Sequence, residues 1–393
     1  MDLKQEIKLS DLFGRKSGGG GGEKKPKKAA VKTRATAKHA HVPSELVGLE
    51  IGSSQIAAAH ISNNGTHKLM KLHREPLPAG IVSGGEVRDP VALGAALSSF
   101  FEHRELPKKN VRLGLANTRL GVRLIELAGV EDDAQLSNAI GFRANELLSI
   151  PIDEAVMDYR VVGEERDSEG VLNRSVVVAI AYRESLDRYL TATSAAGLNV
   201  VGVDLEAFAL LRALTEPRPA DVEARSAVIV VCVGHERTTL AVSDGRVCSF
   251  ARVIDWGGMS LTNVLSRALR VSPAEAETVK RHLSLVPDAS PPEGLKEEQV
   301  AEAHRAVKSE LQSLVRELLS SLRFYQSQPG SLDIGEILVS GGTVSIPGFV
   351  PELERELGVK MIVADPLARL DGKVEAPPQL GSFAVAIGLG IED

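Results

Sequence analysis

The amino-acid sequence predicts an α/β protein made of two halves that share one plan. Short runs of apolar and β-branched residues alternate with segments whose apolar residues recur at helical spacing, a pattern typical of α/β domains. A strand, a glycine-rich turn and a second strand occupy residues 48–61, and the same order returns at 228–243. With 393 residues, the chain is long enough for two or three domains. We therefore predict a first domain over 44–222, completed by 375–393, and a second domain over 223–374.

The first half opens with three predicted strands and continues with alternating helices and strands. The turn at 52–54 separates the first two strands, and Asn63-Asn64-Gly65 signals the hairpin that leads into the third. Gly197 suits a left-handed helix end. The other elements predicted here are a helix over 91–103, strands over 110–117 and 121–129, a helix over 133–146 broken at 149–151, strands over 159–165 and 175–182, a helix over 184–196 and a strand over 198–206.

The second half repeats this order in outline and adds a long helix. Apolar residues recur at helical spacing from Val300 to Tyr325, and we interpret this stripe as core packing. The predicted elements are a strand over 227–234, a hairpin over 235–247, a strand over 248–255, helices beginning near 261 and 274, the long helix over 297–325, a strand over 336–342, a helix over 351–358, a strand over 360–365 and a small-residue segment over 381–391.

Charge divides the chain into a basic N-terminal extension and an acidic body. Residues 1–41 carry a net charge of +7, which leaves −13 on the rest. We predict that residues 1–43 are a disordered extension, because segment 17–43 is rich in Gly, Lys and Ala and cannot bury enough apolar surface to fold. Residues 1–16 contain Leu, Ile and Phe, and we interpret them as a docking peptide for a partner protein or a membrane surface rather than as a frayed end.

The composition argues against several classes of protein. The sequence has no run of about eighteen uncharged apolar residues, so no membrane-spanning helix is expected, and the charged N-terminus lacks the apolar core of a secretory signal. The acidic body argues against nucleic-acid binding, because a phosphate backbone repels it. We interpret Cys232 and Cys248 as buried thiols in neighbouring strands of a cytoplasmic protein.

Three glycine-rich segments are candidates for phosphate binding. Glycine lets the backbone approach an anion closely, and the backbone amides stabilise its charge. Ser53 and Ser54 in the first turn and Thr238 and Thr239 beside the second add hydroxyl donors. The third segment, VSGGTVSIPGF at 339–349, follows an apolar strand and precedes a helix. One such turn is common in any sheet, but the three in this order indicate a phosphate-binding site.

In this order the three segments resemble the phosphate-1, phosphate-2 and adenosine motifs of the actin, Hsp70 and sugar-kinase fold, which is ribonuclease H-like. Within that fold, residues 44–393 resemble the PilM family of type IV pilus proteins, which is related to the cell-division protein FtsA. The segments that carry the resemblance are GLEIGSS, ANELLSIPIDEAVMDYRVVG, DWGGMSLT, AEAETVK, ILVSGGTVSIPGF and GSFAVAIGLG. The resemblance implies an actin-like two-domain nucleotide-binding fold with a partner-binding subdomain inserted near 81–163.

The same resemblance implies a role for each candidate site residue. ATP would lie in a cleft between the two halves, and Mg²⁺ would be held mainly by phosphates and water. The β- and γ-phosphates would meet Gly52, Ser53 and Ser54 on one side and Gly234, Thr238 and Thr239 on the other, Glu277 and Lys280 would reach the ribose, and Gly341, Gly342 and Thr343 would flank the adenine.

Two departures from the family pattern bear on hydrolysis. Glu50 stands where the family usually carries an Asp, and it is the candidate catalytic residue because its longer carboxylate can still orient a Mg²⁺-bound water. Cys232 replaces the usual Asp of the second turn and supplies no carboxylate. We therefore expect ATP binding with slow or absent hydrolysis. His235 and Arg237 are interpreted as solvated turn residues, with a contact from Arg237 to phosphate as the alternative.

By resemblance, we expect a cytoplasmic scaffold beneath the inner membrane that serves pilus assembly and twitching motility. It would bind the N-terminal peptide of a PilN-like membrane protein and link it to the motor ATPases, one of which residues 1–16 would contact. Two alternatives stay open. A small-molecule kinase would need its nucleotide carboxylates, which Cys232 argues against. An FtsA-like filament would self-associate on a membrane through a C-terminal amphipathic helix, which is not expected after residue 391.

Overall fold

A computed structural model describes residues 43–147, 154–219, 221–287, 289, 294–328, 330–372 and 377–392. These residues form two mixed β-sheets, a two-stranded hairpin and nine α-helices, which confirms the predicted α/β class. The predicted docking peptide at 1–16, the linker as far as residue 42 and the helix break at 149–151 lie outside them. None of the helices in this part of the chain is both long enough and apolar enough to cross a membrane.

The strands and helices occur in nearly the predicted order. The strands are β1 (Glu45–Ile51), β2 (Gln55–Ser62), β3 (Lys68–Pro76), β4 (Val82–Ser83), β5 (Glu86–Val87), β6 (Val111–Leu115), β7 (Gly121–Ala128), β8 (Ala155–Arg166), β9 (Leu172–Tyr182), β10 (Val200–Leu205), β11 (Ala227–Val233), β12 (Thr238–Ser243), β13 (Cys248–Ile254), β14 (Ile334–Ser340) and β15 (Met361–Val363). The helices are α1 (Pro90–His103), α2 (Asp133–Leu147), α3 (Arg183–Ala195), α4 (Glu206–Leu214), α5 (Gly258–Leu269), α6 (Pro273–His282), α7 (Glu297–Gln326), α8 (Phe349–Leu357) and α9 (Ala384–Gly390).

The first sheet has five strands in the order β10-β6-β1-β2-β3. Side chains alternate between its faces, so Leu49 of β1 packs with α1 and α3, whereas Ala57 of β2 packs with α4 and α9. Helix α9 lies so close to β1 that a Cβ on Gly48 would be 2.0 Å from the backbone oxygen of Ala386. The C-terminal segment therefore packs with the first half of the chain.

The second sheet has eight strands in the order β15-β14-β11-β12-β13-β7-β9-β8. One face of its β11–β14 part shares a core with α5, α6, α7 and α8. The predicted apolar stripe of α7 is buried in this core from Ala303 to Tyr325, which confirms its packing role, and Val300 is partly exposed.

Helices α4 and α9 form a middle layer between the two sheets. Their core includes Ala57 of the first sheet together with Val230 and Ala241 of the second. The buried Arg212 of α4 pairs with Asp204, and its Nε donates a 2.9 Å hydrogen bond to the oxygen of Gly388. Since a buried charge is costly unless it is paired, these contacts fix α4 against α9.

A small unit formed by β7, α2, β8 and β9 extends the second sheet. Its own core includes Ile125, Ile140 and Val178. It joins β13 through two residue pairs, Phe250 with Arg123 and Ala251 with Val122. The unit spans 121–182, later than the predicted insertion at 81–163, because residues 81–115 pack against the first sheet instead.

The two cysteines are free thiols in strands that do not pair with each other. Cys232 lies in β11 and Cys248 in β13, and β12 separates them, which corrects their predicted placement in neighbouring strands. Burial raises the pKa of both thiols, that of Cys248 to about 12. Both therefore stay protonated at neutral pH.

Candidate functional site

A cleft of about 220 Å³ lies where the two halves meet. The turns after β1 and β11, the Gly-Gly junction after β14 and the start of α4 all contribute to its walls. Eleven of the twelve predicted site residues line it: Glu50, Gly52, Ser53, Ser54, Gly234, Thr239, Glu277, Lys280, Gly341, Gly342 and Thr343. Residues that are far apart in the sequence thus meet in one place.

Thr238 is the predicted site residue that the structure places outside the cleft. It is buried in β12, and its Oγ1 donates a 2.8 Å hydrogen bond to the backbone oxygen of Trp256. Because side chains alternate along a strand, Thr239 takes the opposite direction and lines the cleft. Thr238 therefore attaches Trp256 to the sheet.

The first turn, Gly52-Ser53-Ser54, is tight and small. The backbone nitrogen of Gly52 donates a 2.9 Å hydrogen bond to the oxygen of Gln55, which closes the hairpin between β1 and β2. A Cβ on Gly52 would meet only atoms of Gln55, the nearest at 3.3 Å. The turn therefore presents backbone and two hydroxyl groups to the cleft, with little side-chain bulk.

The second turn, residues 234–237, is supported from behind by the start of α5. The backbone nitrogen of Gly258 donates a 3.0 Å hydrogen bond to the oxygen of Gly234. A Cβ on Gly257 would lie only 2.5 Å from the backbone oxygen of His235. This close contact leaves the turn little room to withdraw from the cleft.

The Gly-Gly junction after β14 is fixed beside the second turn. Gly341 has a φ of +105°, and a Cβ there would lie 2.3 Å from the backbone oxygen of Val233. A side chain would be strained in that conformation and would also clash, so the position requires glycine. Thr343 Oγ1 donates a 2.8 Å hydrogen bond to the oxygen of Gly234. The second and third glycine segments thus form one connected wall.

Lys280 and Glu277 lie on α6 at the same wall. Lys280 Nζ is 2.6 Å from a Glu277 oxygen, 3.0 Å from Thr262 Oγ1 and 3.1 Å from the oxygen of Gly258. An ammonium group has three donors, so these contacts occupy all of them. Lys280 therefore holds Glu277 and the start of α5 in place, and the predicted contacts of this pair with a ribose stay a prediction.

Glu206, the first residue of α4, lines the cleft together with Glu50 and is the functional candidate that the sequence prediction missed. Glu50 Oε2 is buried without a hydrogen-bond partner. Burial, and secondly the charge of Glu206, raise the pKa of Glu50 well above its ordinary value. Burial also raises the pKa of Glu206 to about 7, opposed by the charge of Arg237. Both residues are half-buried and face the same cleft.

Two side chains of the second turn cross the cleft to the first half. Glu236 Oε2 accepts a 2.7 Å hydrogen bond from the backbone nitrogen of Gly84, and Arg237 Nη1 donates to the oxygen of Ala116 at 3.3 Å. The interpretation of Arg237 as a solvated turn residue is therefore wrong. His235 also lines the cleft, where burial lowers the pKa of its imidazole.

The cleft suits a nucleotide better than a metal ion held directly by side chains. Backbone from three glycine segments and the hydroxyls of Ser53 and Ser54 form a donor set for phosphate. Among the described residues, no group of three or more His, Cys, Asp or Glu side chains is placed to hold a metal ion. Cys232 lines the cleft as a protonated thiol, which is a poor ligand.

Comparison with known proteins agrees with this geometry. The family described as type IV pilus assembly protein PilM matches residues 48–393. A solved PilM–PilN type IV pilus biogenesis complex is similar with a TM-score of 0.73 and 27% identity, covering 88% of this chain and 98% of that chain. MreB 5 of Spiroplasma citri bound to AMPPNP is similar with a TM-score of 0.52 and 15% identity, covering 88% and 94%, which bears on the fold alone. The predicted actin-like fold is confirmed.

Proposed function

This chain belongs to the family of the type IV pilus assembly protein PilM, and from that premise we propose that it is a nucleotide-loaded scaffold of the pilus assembly machinery. The family membership agrees with the resemblance predicted from the sequence. The nucleotide and the scaffold role are the parts that we propose, and each has separate support.

The observation that carries the nucleotide proposal is the meeting of three glycine segments from both halves in one cleft. Gly52, Gly234 and Gly341 belong to different strand ends, yet they line the same space with hydroxyl side chains beside them. Backbone amides beside glycine bind anions because no side chain prevents close approach. The function favoured by this donor set is the binding of a nucleoside triphosphate such as ATP, with Mg²⁺ held by its phosphates.

The carboxyl groups of the cleft favour slow or absent hydrolysis. When bound with the nucleotide, Mg²⁺ would neutralise phosphate charge and polarise the bond that breaks. Glu50 and Glu206 are the candidates to orient an attacking water. Burial raises the pKa of both groups, so at neutral pH each is ionised to a smaller extent than an exposed carboxyl group, and only the ionised form accepts a proton well. Cys232 adds no further carboxylate to the cleft. We therefore expect the protein to bind ATP and to hydrolyse it slowly or not at all.

The partner that we propose is a PilN-like inner-membrane protein. The similar solved structure is a complex of PilM with PilN. This chain would bind the N-terminal peptide of such a partner beside the 121–182 unit, and would thereby lie at the inner face of the membrane. Residues 1–16, outside the described part of the chain, would contact a motor ATPase.

Calorimetric titration of the full-length protein tests this proposal. ATP is titrated with and without Mg²⁺, beside a phosphate-release assay, and a synthetic N-terminal peptide of the PilN-like partner is titrated next. We expect saturable binding of both ligands and a turnover well below about 1 per second. Turnover at or above that rate would contradict the scaffold role. Failure to bind ATP would overturn the nucleotide proposal and leave the peptide result to decide the rest.

A further inference from the structure

The second turn delivers a guanidinium group into the proposed nucleotide cleft. Arg237 reaches the first half, where Nη1 donates to the oxygen of Ala116 at 3.3 Å. Its Nε is buried and has no hydrogen-bond partner. A guanidinium group carries five N–H donors, so the described residues satisfy only part of its capacity. Arg237 also lines the cleft, as do Gly85 and Ala116 beside its guanidinium group, so this side chain borders the space that a ligand would fill.

The first half is shaped to receive this side chain. Gly84 and Gly85 follow each other in the hairpin between β4 and β5, with φ values of +64° and +65°. A Cβ on either one would lie 2.7 Å from a guanidinium nitrogen of Arg237. Glu236, the preceding residue of the turn, accepts the 2.7 Å hydrogen bond from the nitrogen of Gly84. The position of Arg237 is therefore specified by both halves of the molecule.

The charges of Asp255, Glu236 and Glu206 act on Arg237, but among the described residues none of these groups is in salt-bridge contact with it. Glu50 and Glu206 line the same cleft, but among the described residues no ion pair joins either of them to Arg237. Glu50 Oε2 has no hydrogen-bond partner either. Arg237 is half-buried and has no ion pair, so an anionic ligand in the cleft would interact favourably with its charge.

We propose that Arg237 binds the terminal phosphates of a nucleoside triphosphate and supplies from the protein the positive charge that they need, with Glu236 as its positioning residue. In consequence, affinity for the triphosphate depends on Arg237 more than on Mg²⁺. The planar fork of a guanidinium group matches two phosphate oxygens at once, which suits this role. This inference rests on the proposed nucleotide function.

The test compares ATP and AMP affinities of the full-length protein in Mg²⁺ buffer and in excess chelator. Arg237→Gln removes the positive charge and keeps a side chain of similar size. We expect this variant to bind ATP about tenfold or more weakly in both buffers, because it loses a hydrogen bond between two charged groups. AMP affinity should not change, because AMP lacks the terminal phosphates. Arg237→Lys should recover part of the loss, since it keeps the charge without the fork. Arg267→Gln, on the exposed face of α5, is the matched control for charge and should have no effect.

The positioning role of Glu236 has its own readout. Glu236→Ala should lower ATP affinity and leave AMP affinity unchanged, whereas Glu236→Gln should restore ATP affinity because its amide oxygen can still accept from Gly84. Melting temperatures of all variants show whether the fold is retained.

The outcomes separate this inference from the proposed function. If wild-type ATP affinity collapses on chelation and Arg237→Gln has no effect, the nucleotide site stands and the inference is wrong. An equal loss of ATP and AMP affinity in Arg237→Gln would show that Arg237 maintains the shape of the cleft and does not bind the terminal phosphates. That result would also overturn the inference. If wild-type protein binds no ATP in either buffer, the proposed function fails, and the inference fails with it.

Discussion

The two turns that face the cleft occupy equivalent places in the two halves but are built differently. The first, Gly52-Ser53-Ser54, carries small side chains, and a Cβ on Gly52 would meet its nearest atom at 3.3 Å. The second, 234–237, carries His, Glu and Arg and is backed by Gly257, where a Cβ would lie 2.5 Å from another backbone atom. A Cβ on Gly52 would therefore meet only atoms of its own hairpin. The second turn packs against Gly257 and extends charged side chains across the cleft.

This difference indicates that the two halves contribute different chemical groups to the cleft. A small turn offers backbone amides and hydroxyls, which suit a phosphate but contribute no net charge. A supported turn can hold long charged side chains in one place at a smaller cost in side-chain entropy. The same strand-turn-strand arrangement therefore presents backbone amides and hydroxyl groups in the first half and charged side chains in the second.

The largest effect is expected from breaking the support of the second turn. Gly257→Ala would place a Cβ 2.5 Å from His235 O and 2.7 Å from Arg237 N, so the backbone must shift. We expect a loss of about 1–3 kcal/mol in the free energy of unfolding, as for other overpacked sites. Gly52→Ala is the matched control and should cost less than about 1 kcal/mol, because its Cβ would lie 3.3 Å from the oxygen of Gln55, a tight contact that a much smaller shift relieves. Urea unfolding of both variants measures the difference, and equal losses would contradict the comparison.

A smaller effect is expected from the carboxyl pair in the cleft. The pKa of Glu206 is raised to about 7, so the folded state holds this proton more firmly than the unfolded chain does. The stability that it contributes is full below about pH 4.5 and is lost as the pH rises through about 7. The stability difference between wild type and Glu206→Gln, which isolates this group from His235 with its oppositely shifted pKa, should therefore decline by about 1 kcal/mol between pH 5.5 and 8 in the ligand-free protein, reduced by the exposure of the side chain in the cleft.

The matched pair for this pH effect is Glu206→Gln and Glu169→Gln. The first removes the titrating group beside Arg237 and Glu50 and should flatten the decline. The second removes a fully exposed carboxylate in the β8–β9 turn and should leave the decline as it is. A pH profile of Glu206→Gln that declines as steeply as that of the wild type would show that Glu206 does not cause the decline.

The smallest effect separates the hydroxyl groups of the two turns. Thr238→Val leaves the oxygen of Trp256 without its 2.8 Å hydrogen bond and should cost about 1 kcal/mol of stability, with ATP affinity unchanged. Ser53→Ala removes a hydroxyl that lines the cleft and should leave stability unchanged but lower ATP affinity about threefold to tenfold. Unfolding and ATP titration of both variants check this. If folded Thr238→Val binds ATP more weakly than the wild type, Thr238 contributes to the nucleotide site and this prediction is wrong.

The strands and the long helix could be predicted because their signals are local. β1 and β2 alternate around a glycine turn, and α7 shows an apolar stripe on one side. Helix α4 gave no such signal, since eight of its nine residues are buried between two sheets and no polar face marks the helical period. Because α4 was missed, its first residue, Glu206, was missed as a member of the site. An acidic residue at the end of a buried strand is the signal that could have drawn attention to it.

The glycine positions of the cleft could also be predicted, because a glycine-rich turn between two strands is a local sequence signal. The side-chain contacts in the cleft could not, because they depend on how distant segments pack. The resemblance assigned Lys280 to a ribose, which stays a prediction, but its contacts with Glu277, Thr262 and Gly258 had no signal in the sequence. The reach of Arg237 to Ala116 joins residues 121 positions apart and depends on how the halves meet. The small unit at 121–182 was misplaced in the same way, because sheet membership is a tertiary property.

The strand pairing between β13 and β7 is a narrow joint within the second sheet. Only two residue pairs join them, whereas β12 and β13 pair along most of their length. A backbone hydrogen bond contributes about 0.5–1.5 kcal/mol net, so a joint of this size holds with about 1–3 kcal/mol. Thermodynamic coupling between distant sites is typically of the same size. Val122, Val177 and Ala179 of the unit also pack with α4 and α9, so the unit and the cleft are connected through this core as well as through the strand joint.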